Sequence, residues 1–106
     1  MRPEQMLEHE KQALERMLKI AAGNTDQSRN VADFLLAWWN AASCGSCDIT
    51  TGWSVDDEIM EDMCVVFRLA SRARSYPDTL GYESEFRAIV EEWRPELVGT
   101  KTSASC

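Results

Sequence analysis

The chain has 106 residues, 44% of them hydrophobic, with four Trp, three Phe and two Tyr; that makes one domain with its own core and excludes wholesale disorder. Eleven Lys and Arg against eighteen Asp and Glu give a formal charge of −7, which argues against gripping nucleic acid through its phosphates and against binding an anionic membrane surface. No run approaches the roughly 18 apolar residues that a membrane span needs.

The opening residues, Met1 to Glu10, are charged and lack the apolar stretch of a secretory signal. They predict a cytoplasmic, reducing location, in which Cys44, Cys47, Cys64 and Cys106 stay as thiols. A first helix is expected from Pro3 to Ala22. Pro3 suits the first turn, where its missing N–H goes unused, and Glu4 complements the positive end of the helix dipole. Met6, Leu7, Leu14, Met17, Leu18 and Ala21 form its apolar stripe, with Glu8, Lys11, Glu15, Arg16 and Lys19 outside. Gly23-Asn24 is expected to end it through a left-handed residue.

A second helix is predicted from Ser28 to Ala42, with caps drawn from Asp26 to Ser28. Between Val31 and Ala42 only Asp33 and Asn40 are polar. A helix apolar nearly all round is either wrapped by its own domain or presents a surface to a partner. The first reading makes it the central helix; the second places Trp39, Leu36 and Ala32 in an interface. Trp38 and Trp39 stand about 100° apart, so a one-sided core cannot bury both equally.

Residues 43–54 read as a loop with Ile49 and Trp53 tucked inward. Cys44-Gly45-Ser46-Cys47 has C-x-x-C spacing but follows a helix, at the negative end of its dipole, where a thiolate is disfavoured. A structural zinc site would need two more ligands from Cys64, Cys106 and His9, so the pair reads as small residues closing a helix.

Ser54 is the expected cap of a third helix, Val55 to Arg74, with Val55, Ile59, Met63, Val66, Phe67 and Ala70 inward. Its charges divide, Asp56, Asp57, Glu58, Glu61 and Asp62 preceding Arg68, Arg72 and Arg74, as the dipole favours. After Tyr76-Pro77-Asp78-Thr79-Leu80-Gly81 comes a fourth helix, Tyr82 to Trp93, with Tyr82, Phe86, Ile89, Val90 and Trp93 on one face. No segment alternates like a strand. The reading is an all-α bundle of about four helices with the second central, occupying residues 1–98, and a small polar tail at 99–106.

The chemistry-bearing patterns are few. Glu58 and Glu61 form an E-x-x-E pair on adjacent turns, as an Mg²⁺ site requires. All-helical nucleotide pyrophosphohydrolases join such a pair to E-x-x-D on the next helix, but none of Glu83, Glu85, Glu91 or Glu92 has an Asp three residues on. His9 is the only histidine, and there is neither a G-x-S-x-G nor a glycine-rich phosphate loop. No catalytic residue, metal ligand or cofactor is therefore expected. Arg68, Arg72 and Arg74 read as charges paired with glutamates rather than as a nucleic-acid contact.

The stretch Asn30 to Ala41, with Trp53-Ser54-Val55-Asp56-Asp57, Tyr76 to Tyr82 and Trp93-Arg94-Pro95-Glu96, resembles a family of small proteins carried by proteobacterial integrative conjugative elements, plasmids and prophages. The resemblance covers about residues 28–98 and implies a cytosolic accessory protein of a mobile element, without an assigned activity. Small acidic proteins in that setting often antagonise host defence, CRISPR–Cas complexes included.

The leading expectation is a non-enzymatic protein that binds another protein, such as a nucleic-acid-binding defence complex, through Asp56, Asp57, Glu58, Glu61 and Asp62, with Trp39 as an anchor. Two alternatives stand beside it. One is a structural or regulatory homodimer burying Trp39 and Leu36; the other is an Mg²⁺-dependent nucleotide hydrolase built on the third-helix carboxylates.

Overall fold

A computed structural model describes residues 2–40 and 55–95 of the chain. They form four α-helices, α1 (Glu8–Ala21), α2 (Asp26–Asn40), α3 (Asp57–Ala73) and α4 (Glu83–Trp93), with 3-10 turns at Pro3–Gln5 and Pro77–Leu80. There is no strand among the described residues, and none of their helices is long and apolar enough to cross a membrane. The all-α bundle is the one that the periodicity predicts. The expectations for Cys44, Cys47, Ile49, Trp53, Ser54, Cys106 and the tail lie outside the described residues.

Packing order follows from which helices touch. α1 lies against α3 on one side and α2 on the other, and α2 in turn packs on α4, so α1 and α2 share the middle. Their apolar rows meet there: Leu14, Met17 and Ala21 from α1, and Val31, Ala32, Leu35 and Leu36 from α2, are all fully buried. Leu69 of α3 and Phe86 of α4 close the core from either side. Each large apolar side chain so enclosed contributes about 1.5–3 kcal/mol. Because Leu36 and Ala32 are spent inside the protomer, neither is available to the interface that the sequence allowed for.

The first helix is shorter than its periodicity suggests. Met6 and Leu7 are extended and separate the 3-10 turn from α1. The break is stabilised by Glu10, whose Oε1 accepts the Leu7 N–H at 2.8 Å and so satisfies an orphan donor of the new helix start. Leu7 consequently leaves the stripe and is 51% exposed. Glu10, despite its charge, is only 3% exposed and pairs with Arg72. Burial pushes its carboxyl up, but the Leu7 N–H and the Arg72 guanidinium outweigh that and hold it below the usual glutamate value.

The α1–α2 turn also differs from expectation. Neither Gly23 nor Asn24 is left-handed. Gly23 is needed because a Cβ there would stand 2.7 Å from Ser28 Oγ. The cap of α2 is Thr25, whose Oγ1 accepts the Ser28 N–H at 3.0 Å, and the helix starts at Asp26 rather than Ser28. At the far end of α3 it is Arg74 that takes the left-handed conformation, with φ 52°.

α3 begins at Asp57, with Asp56 at the cap position. Its buried row is Ile59, Met63, Val66, Leu69 and Ala73. Phe67, expected inside, is 66% exposed. At 100° per residue it falls roughly 100° from the middle of that row, whereas Leu69 falls within about 60° of it.

Candidate functional site

Side-chain bonds between helices fix where the predicted site residues stand. Glu10 meets Arg72 while Arg16 meets Asp62, so α1 and α3 run antiparallel. Gln27 meets Asp56, and the Trp38 indole N–H donates to the Ser75 carbonyl at 3.0 Å, so α2 and α3 start at the same end of the bundle. That shared end carries the acidic cluster.

Gln27 anchors it. Its Oε1 accepts the Asp56 N–H at 2.8 Å, and its Nε2 donates to Asp56 Oδ2 at 3.4 Å. The α3 N-terminus is thereby tied to the first turn of α2, and Asp57 and Glu58 follow in the first turn of α3, where the helix dipole favours negative charge. Asp56, Asp57, Glu58 and Glu61 are all exposed. Asp62 is different: its side chain is 13% exposed and accepts two hydrogen bonds from Arg16, at 2.8 and 2.9 Å. Four of the five predicted carboxylates thus face solvent together, and the fifth holds α1 to α3.

Asp26 belongs to the same end. It sits one residue before Gln27, its side chain is 93% exposed, and Arg29 bonds it at 3.1 Å. The sequence carries no signal for this neighbour, because it arises from the side-by-side starts of two helices 31 positions apart (57 − 26 = 31). Among the described residues no three His, Cys, Asp or Glu side chains converge as an ion would require. Cys64 is an exposed free thiol.

Trp39 is not brought to the cluster. Along α2 it lies twelve residues beyond Gln27 (39 − 27), about 18 Å at 1.5 Å per residue. It is half-buried, stacked on Phe86 with ring centroids 5.6 Å apart and 19° between the planes, and the Arg87 guanidinium stands 5.9 Å over its ring. Trp38 meets the same Phe86 edge-on, at 6.1 Å and 87°. One phenyl ring thus serves both neighbours, which resolves the difficulty of burying adjacent tryptophans. Trp39 Nε1 is buried and has no hydrogen-bond partner among the described residues.

The arginines at the other end of α3 behave unequally. Arg72 bonds Glu10 and reaches the Gln5 carbonyl at 3.5 Å, whereas Arg68 and Arg74, expected to pair with glutamates as well, form no ion pair among the described residues. Across the bundle the Tyr82 hydroxyl donates to Glu15 at 3.0 Å; burial first, then that carboxylate, hold the phenol above its ordinary value.

Fold and surface together define a small all-α bundle with a solvent-facing group of carboxylates at the joined starts of two helices. The chain belongs to the DUF7673 family, a family of unknown function, which matches residues 11–94 and so takes in all of α2, α3 and α4 and nearly all of α1. No curated protein and no solved structure matches it.

Proposed function

We propose that the chain is a small, acidic, non-enzymatic protein of a mobile genetic element that binds another protein, as an inhibitor of a host defence complex of the CRISPR type. The observation that carries this reading is the exposed group Asp56, Asp57, Glu58 and Glu61, held at one end of the bundle by Gln27. Carboxylates arrayed on a fixed scaffold resemble a run of phosphates, and a basic nucleic-acid-binding surface is drawn to them by steering. The net charge of −7 reinforces that attraction over distance. The mobile-element setting is supported by the resemblance of Asn30 to Ala41 and Tyr76 to Tyr82 to proteins of such elements. Trp39 is the apolar anchor of the same reading, although it contacts a different part of the partner.

The test has two stages. Affinity purification from the native host, followed by mass spectrometry, identifies what co-elutes. The double variant Asp57→Lys, Glu61→Lys is then expected to slow association with that protein by about tenfold at low salt, with the helical circular dichroism unchanged. Unchanged association would overturn the assignment of the acidic end.

A further inference from the structure

We draw no further inference here: the strongest candidate, the exposed surface patch around Phe67 on α3, rests on an unpartnered apolar side chain, and nothing in the structure shows what covers it.

Discussion

The two outer helices are fastened to the inner pair in different ways. Both seams, α1–α3 and α2–α4, are antiparallel. The α1–α3 seam is closed by two ion pairs, Glu10–Arg72 and Arg16–Asp62. The α2–α4 seam carries one, Arg94–Asp33 at 2.6 Å, and is otherwise aromatic, with Trp38 and Trp39 both set against Phe86. The contrast teaches that one molecule can lose its two flanks for separate reasons. The first depends mainly on ionisation, the second mainly on the fit of its rings.

Breaking the aromatic seam has the largest expected effect. Phe86→Ala deletes a fully buried ring together with two aromatic contacts, and chemical denaturation should show a loss of about 3–5 kcal/mol at every pH. Breaking the ionic seam costs less and depends on pH. Arg72→Ala leaves the Glu10 carboxylate buried without its cation and should cost about 2–3 kcal/mol near neutrality, below a fully enclosed pair because 42% of the Arg72 side chain is exposed.

The sign follows from Glu10, whose folded value is lowered. Its contribution is complete above the unfolded value of about 4.3 and is lost as pH falls through the lowered folded one. Denaturation between pH 3 and 7 should therefore show an acid limb that Arg72→Ala flattens and Phe86→Ala leaves in place. Equal flattening by both would erase the distinction between the seams.

Two smaller changes act as controls outside either seam. Arg74→Gly removes a Cβ from the left-handed end of α3 and should raise stability by about 1 kcal/mol, seen as a higher melting temperature. Phe67→Gln should change stability by less than about 0.5 kcal/mol in the same measurement, since the ring is mostly in water.

Much of this architecture was legible in the residues. The inward row of α4, Phe86, Ile89 and Val90, follows directly from the 3.6-residue period. The four exposed carboxylates at the start of α3 were equally visible as a charge division. What the sequence hid depends on partners far along the chain. Glu10 is buried because Arg72 and the Leu7 N–H meet it, and Asp62 is occupied because Arg16 crosses to it. Asp26 joins the acidic end only through the Gln27–Asp56 bond. Local period also misjudged Leu7, since a mid-segment break supported by a side chain leaves the hydrophobic pattern itself intact. Phe67 shows the same weakness: hydrophobicity and an approximate spacing do not say which flank of a helix a neighbour will cover.

The pairing of Trp38 and Trp39 around one phenyl ring has a spectroscopic consequence. Three chromophores locked at 19° and 87° to a common plane form a chiral array, which gives near-ultraviolet circular dichroism. That band reports whether α4 is seated on α2, while the far-ultraviolet band reports only that helices exist. A compact state with its helices intact and this aromatic array loosened would thus be recognised optically, without a label.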